Sequence, residues 1–238
     1  MSGGNPACVI PLDSWLEDDL MLSISKINSV AETAFFILKD DTILLRWFTP
    51  EIEMDLCGHA TLATAHCLNS ILNHPNKSIR FETKSGEITV DFKDDKYHMD
   101  FPTRIPLKSD LPKLISKSLN LKPLEVYKSR DYLLIYDSEE DIKKIKINTN
   151  YFNQINLDPG GVVVTAKGTN SDFVSRYFTP QSTILEDPAT GSSHCSLIPF
   201  WSKRLNKNHL SSVQLSKRIG EFECINHSKR VTVIGSAV

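Results

Sequence analysis

Two short stretches of the chain carry residue types suited to acid–base chemistry, and each is joined to a glycine. In the first, Cys57 and His59 flank Gly58; in the second, Asp187 stands four residues before Gly191, with Ser192, Ser193 and His194 following. A third candidate is Glu32 in AETAFF, an acid just ahead of an apolar run. Burial there would favour the protonated carboxyl and bring its pKa towards neutrality. Glycine lets a ligand approach the backbone. The start of a buried helix presents unpaired N–H groups and a partial positive charge, so it holds a carboxylate or phosphate without a basic side chain. Gly58 and Gly191 therefore read as donor sites for a small anionic molecule, with Ser192 and Ser193 beside the second. Each candidate also has a plainer reading. Asp187 before Pro188 can set a turn, Glu32 can cap a neighbouring element, and an apolar histidine or cysteine can be a packing residue.

The elements that must position these groups follow a repeated plan. PACVIPL reads as a strand, EDDLMLSISKINS as an amphipathic helix with Leu20, Ile24 and Ile27 on one face, and TAFFIL and ILLRWFTP as strands. A helix is predicted from Gly58 through HATLATAHCLNSILNH, apolar almost all round and hence central. SIRFETKSG, EITVDFKDD and KYHMDFPT follow as strands, with TKSG and KDDK as hairpin turns. The proline-bearing FPTRIPLKSDLPK marks a boundary, placing domains at 1–103 and 104–238. Beyond it DLPKLISKSLN reads as a helix, EVYKSR, DYLLIYD and GGVVVTAKG as strands, and SEEDIKKIKIN to YFNQI as helical turns. Then come the strand DFVSRYFTP, a second apolar helix GSSHCSLIPFWSKRL, and strands SVQLSKRIG, EFECINH and RVTVIGSAV. Pro199 interrupts the helix pattern, so the helix either kinks there or is satisfied locally.

RWFTP at 46–50 and RYFTP at 176–180 agree at four of five positions, and each leads to a glycine that opens a helix. The fold class expected is α+β: two pseudo-symmetric halves, each a barrel-like, mostly antiparallel sheet around one central apolar helix. If the halves face each other, the two helix starts converge on one cleft, the usual place for a small ligand.

Composition narrows the function. The 238 residues carry 27 Lys plus Arg against 29 Asp plus Glu, so no basic field of the kind that phosphate-backbone binding needs is present, and nucleic acid is not an expected partner. Neither a long apolar run nor a secretion signal is apparent, so the expectation is a cytoplasmic protein without a membrane span. Five cysteines, an odd number with no CxxC, argue against a disulfide framework, and CGHATLATAHC lacks the spacing of a metal site.

With GNPACV, AETAFF, RWFTP, CGHATLA and EDPATGSSH in this order, the sequence resembles the phenazine biosynthesis-like (PhzF) family, of diaminopimelate epimerase-like fold, over nearly its whole length. The resemblance implies an isomerase that needs no cofactor, with its active site between the domains, and a homodimer. It implies that Glu32 is the acid/base, that His59 lies at the first helix start, and that Asp187 and Ser192 serve at the second. In the namesake reaction the glutamate removes a proton from one ring carbon and returns it to another. Related racemases use a cysteine at each helix start. Here Cys57 stands at the first, whereas EDPATGSS has none and Cys195 falls inside the helix. Cys57 is thus a possible acid/base partner or a small buried residue. The family's usual VDAFT strand ahead of GNPA and its last strand are not found here. A catalytically silent binding protein and a Cys57-dependent amino-acid racemase or epimerase are the alternative functions.

Overall fold

The computed structural model describes residues 4–39, 42–157, 160–180 and 182–237. It divides into two compact units: an N-terminal unit of Asn5–Pro102 with the segment from Thr232 onward, and a C-terminal unit of residues 103–231 with Gly4.

The N-terminal unit runs β1 (Ala7–Pro11), α1 (Asp18–Asn28), β2 (Glu32–Lys39), β3 (Thr42–Phe48), β4 (Glu53–Met54), α2 (Gly58–His66), β5 (Ser78–Thr83), β6 (Gly86–Lys93) and β7 (Lys96–Pro102). Its sheet order is β1-β2-β3-β5-β6-β7, with β4 hung on β3. The β1–β2 and β3–β5 pairs are parallel and the rest antiparallel. Helix α2 packs on β1, β2 and β7, the first and last strands of that order among them, so the sheet curls around the helix. Thr33 to Phe36 of β2 are all buried, as expected of a strand covered on both faces. The tight β6–β7 turn puts Asp94 and Asp95 at positive φ, the backbone that an inverse-type hairpin demands.

Helix α1 turns inward a stripe that shares only Ile24 with the one predicted. Leu20 is 49% and Ile27 81% exposed, while Met21 and Ser25 are buried. Met21, Ile24, Ser25 and Asn28 also recur at helical spacing, and their polar members are satisfied. Ser25 donates to Met21 O, and Asn28 donates to Thr33 Oγ1 at 3.1 Å. Met21 anchors that face against Phe35 and Phe48. Helix α2 is shorter than predicted, passing at Cys67 into a π turn that ends at Ile71.

The C-terminal unit contains β8 (Leu107–Lys108), α3 (Lys113–Ser118), β9 (Glu125–Lys128), β10 (Tyr132–Ile135), α4 (Glu139–Lys144), α5 (Thr149–Phe152), β11 (Val162–Lys167), β12 (Phe173–Phe178), β13 (Glu186–Asp187), α6 (His194–Leu205), β14 (His209–Gln214) and β15 (Gly220–Asn226). The strand β16 (Arg230–Gly235) begins in this unit and ends in the other. The predicted strand SVQLSKRIG is corrected: β14 starts earlier and stops at Gln214, because Ser216 leaves the ladder to bond Pro188 O. Val238, the end of the last predicted strand, lies outside the described residues.

Here too the sheet mixes two parallel pairs, β10–β11 and β12–β14, with antiparallel neighbours, and β13 hangs on β12 as β4 does on β3. The two units thus repeat one plan. Pro199 sits in α6 without breaking it. The proline offers no N–H to Cys195 O, and the Arg104 N–H donates there instead, at 2.9 Å.

Gly161 sits in a closely packed site. A Cβ on it would lie 2.5 Å from Tyr177 Cζ and 2.8 Å from Phe178 O. The ring cannot swing away without releasing its hydroxyl from Asp131. Gly161→Ala is expected to cost about 1–3 kcal/mol of stability, the range for overpacking a close-packed site. A denaturation midpoint equal to that of the native protein would refute this account.

Candidate active site

Each Arg-aromatic-Phe-Thr-Pro strand ends in the same clamp. Arg46 on β3 grips Glu53 on β4 through Nε at 2.7 Å and a terminal nitrogen at 2.8 Å. Arg176 on β12 grips Glu186 on β13 at 2.7 and 2.9 Å. Each guanidinium also lies over the phenylalanine two residues on, at 5.0 Å for Phe48 and 4.9 Å for Phe178. A bidentate arginine fork of this kind fixes direction as well as distance. Lys84 joins the first clamp at Glu53. Burial alone would push the Glu53 carboxyl up, but these two cations outweigh it and hold its pKa below the usual range. Five residues beyond each clamped glutamate stands the glycine, Gly58 or Gly191.

The first helix start gathers three candidates. Cys57 is the extended residue before α2, Gly58 and His59 open the helix, and Glu32 begins β2. His59 Nε2 lies 3.1 Å from Glu32 Oε2, with both side chains almost fully buried. The contact is not aligned as a hydrogen bond, and among the described residues neither atom has another such partner. On the other side of the ring, Nδ1 meets Cys57 Sγ at 3.6 Å and Asn5 Nδ2 at 3.2 Å. Asn5 belongs to the GNPACV stretch, where the sequence suggested no role for it. Its side-chain amide offers a donor to a neutral ring or an acceptor to a charged one.

Charge and burial compete at this site. Burial opposes a proton on His59, but the facing Cys57 sulfur and Glu32 carboxylate prevail and hold its pKa well above that of an ordinary histidine. Burial first, and then the Glu32 charge, push the Cys57 thiol up, with His59 pulling the other way. The Cys57 thiol therefore holds its proton more tightly than an ordinary thiol. Glu32, Cys57 and His59 each bring a ligand atom within 4.8 Å of the others, and such donors can take zinc. The ring, however, turns one nitrogen to the sulfur and the other to the carboxylate, an arrangement that suits proton passage better than one shared ion.

The second helix start is built differently. Regular α6 begins at His194, and Gly191 to Ser193 form a tight lead-in turn in which His194 N donates to Gly191 O and Cys195 N to Ser192 O. The predicted start at Gly191 is corrected by three residues. Asp187 is buried and accepts from Thr190 Oγ1. Ser192 Oγ accepts from Arg130, at 3.1 Å. Ser193 Oγ donates to Thr190 O at 2.8 Å. Arg130, Asp131 and Gln214 were not singled out from sequence, because no motif marks them, and Thr190, although inside EDPATGSSH, was given no role. Counting from the clamps, Thr190 holds the place that Cys57 holds in the first copy.

His194 is a packing histidine. It bridges Thr190 O and Ser212 Oγ, each at 2.9 Å, and burial drives its pKa down to about 4. As pH falls, the unfolded chain takes up this proton first, so its contribution is intact above pH 6.5 and lost as pH falls towards 4. The loss should amount to roughly 3 kcal/mol. His59, shifted upward, works in the opposite sense: its contribution is present below pH 6.5 and fades as pH rises through its folded value. Urea titrations between pH 7 and 4.5 should show a shallower acid slope in His194→Gln than in the native chain; equal slopes would reject the assignment.

A family model described as phenazine biosynthesis-like protein matches residues 1–238. The chain belongs to the phenazine biosynthesis-like family. An uncharacterized isomerase of Pseudomonas aeruginosa is 43% identical over 234 residues, covering 98% of this chain and 90% of that protein. The crystal structure of a PhzF family protein from Enterococcus faecalis superposes with a TM-score of 0.88 at 40% identity, covering 98% of this chain and 90% of that one. A probable proline racemase from Agrobacterium radiobacter shares the fold alone, with a TM-score of 0.60 at 10% identity over 92% of this chain and 77% of its own. The α+β, diaminopimelate epimerase-like fold expected from the sequence is thus found in this phenazine biosynthesis-like protein. Among the described residues, no helix is long and apolar enough to cross a membrane.

Proposed function

We propose that the chain is a cofactor-independent isomerase that moves a proton between two carbons of a small carboxylate-bearing substrate, held in the interdomain cleft that the family resemblance implies. The carrying observation is the buried Glu32–His59 contact, 3.1 Å long, at a glycine-led helix start. Glu32 takes the proton from carbon and returns it. His59 steadies the carboxylate and, with the backbone N–H groups near Gly58, stabilises negative charge as it develops on the substrate. Asp187, with Gly191, Ser192 and Ser193, serves at the second helix start. The isomerase name carried by the Pseudomonas relative supports the reaction class. A homodimer goes with this reading.

Incubating a panel of small unsaturated and hydroxylated carboxylic acids with the protein in deuterated water, followed by proton NMR, tests it. Exchange at carbon is expected for at least one compound. No exchange across a broad panel would favour a binding protein that keeps the fold without turnover. One observation favours a second reading, a thiol-dependent epimerase: Cys57 Sγ lies 3.6 Å from His59 Nδ1. In that case Cys57→Ala abolishes exchange, whereas a Glu32 shuttle survives the change.

A further inference from the structure

The DPAT turn ahead of the second helix start is held by a fully buried amide. Gln214, at the end of β14, accepts from Thr190 N at 2.8 Å through Oε1 and donates to Asp187 O at 2.6 Å through Nε2. These two backbone partners leave no choice of amide orientation, since an N–H must meet Oε1 and a carbonyl must meet Nε2. The same Nε2 lies 3.2 Å from Thr190 Oγ1 and donates to it. A hydroxyl has one proton to give; with a donor already directed at its oxygen, that proton goes to Asp187 Oδ2. Gly220, opposite Gln214 in the β14–β15 ladder, makes room for the turn: a Cβ there would lie 2.9 Å from Ala189 Cβ.

We infer that Gln214 and Thr190 are positioning residues for Asp187, fixing through one directed hydroxyl the orientation and ionisation of its carboxyl at the second helix start. The inference rests on the proposed function only in giving Asp187 work to do. The amide sets the turn, the turn sets the hydroxyl, and the hydroxyl holds one carboxylate oxygen. A donor to the ionised form favours that form. Other ionisable groups nearby are already engaged. Tyr177, paired across from Asp187, donates to Asp131; Arg130 pairs with Asp131 and Ser192; Glu186 is held by Arg176; and His194 is bound to Thr190 O.

Carbon-13 NMR of the aspartate carboxyls in the full chain, with the Asp187 signal assigned from Asp187→Asn, reads the effect directly. In Thr190→Val the Asp187 midpoint is expected to rise by about one pH unit, the loss of one hydrogen bond to a charged group. Thr190→Ser should restore it, and Gln214→Asn, too short to span the turn, should raise it. If Thr190→Val is folded and titrates like the native chain, or if Thr190→Ser behaves as the valine variant does, the inference is overturned. Should Thr190→Val not fold, the native protein supplies the test. The Thr190 amide and Gln214 side-chain signals should shift with the Asp187 midpoint and lose that shift in Asp187→Asn; flat signals overturn the inference. Absence of deuterium exchange would sink the proposed reaction and leave these titrations unaffected, so the two failures are distinguishable.

Discussion

Glu32→Gln is expected to lower proton exchange at the substrate carbon by about 10²- to 10⁴-fold, the usual contribution of a positioned acid or base. The change keeps the shape of the side chain and one carbonyl oxygen for His59, but an amide does not accept a proton from carbon near neutral pH. The backbone at this point is fixed by the β1–β2 pairing, in which Glu32 faces Ala7, so the sheet should survive the substitution. His59 loses one of the two neighbours that raise its pKa, Cys57 being the other, and should titrate closer to an ordinary histidine, a change visible in its ring proton shifts. Both effects should appear together. If exchange persists within about threefold of the native rate while the His59 shift changes, Glu32 tunes the histidine without carrying the proton, and the acid/base assignment falls.

Asp131→Ala should be the most damaging single truncation for stability, at about 3–5 kcal/mol, the range for removing one partner of a buried ionic network. Asp131 is 2% exposed. Its Oδ1 accepts from Gly161 N at 2.9 Å and from the Tyr177 hydroxyl at 3.0 Å, and both of its oxygens face the Arg130 guanidinium at 3.3 Å. Burial first, then the Asp131 charge, hold the Tyr177 pKa well above its usual value, so the phenol remains a neutral donor. Truncation would take the shared acceptor from three donors in a site where Gly161 already packs against the Tyr177 ring. A shift of roughly 10 °C in the thermal midpoint is the expected reading for a chain of this size. A loss below about 1 kcal/mol in urea would mean that neighbouring groups replace the carboxylate, and the network would not be the structural hub described.

The repeated strands made the two-unit plan legible, because an Arg-aromatic-Phe-Thr-Pro strand recurs with one change in five residues and each copy leads to an apolar helix. Glu32, Cys57 and His59 were legible as candidates by residue type, and the structure gathers them within one unit. Sequence periodicity misled in part at α1, where the predicted face of Leu20, Ile24 and Ile27 turns only Ile24 inward. Serine and asparagine can line the inner face instead when their side chains bond locally, as Ser25 and Asn28 do. The pairing of Asp187 with Thr190 and Gln214 was not legible. It depends on strand register and on a contact 24 residues apart in the chain, between Thr190 and Gln214. Aligning the repeats on their arginines also hid the match between Thr190 and Cys57, which emerges when Glu53 and Glu186 are taken as the common point.

The twin clamps separate what shapes the chain from what varies in it. Arg46 with Glu53 and Arg176 with Glu186 secure their hairpins upstream of the glycine, without help from the residue just before it. That residue is a thiol in one copy and a hydroxyl in the other, and neither choice disturbs the clamp behind it. A duplicated module of this kind gives inheritance a place to experiment. New chemistry can be tried at one socket while its twin continues to hold the old, and the arginine–glutamate clamp behind each stays the same.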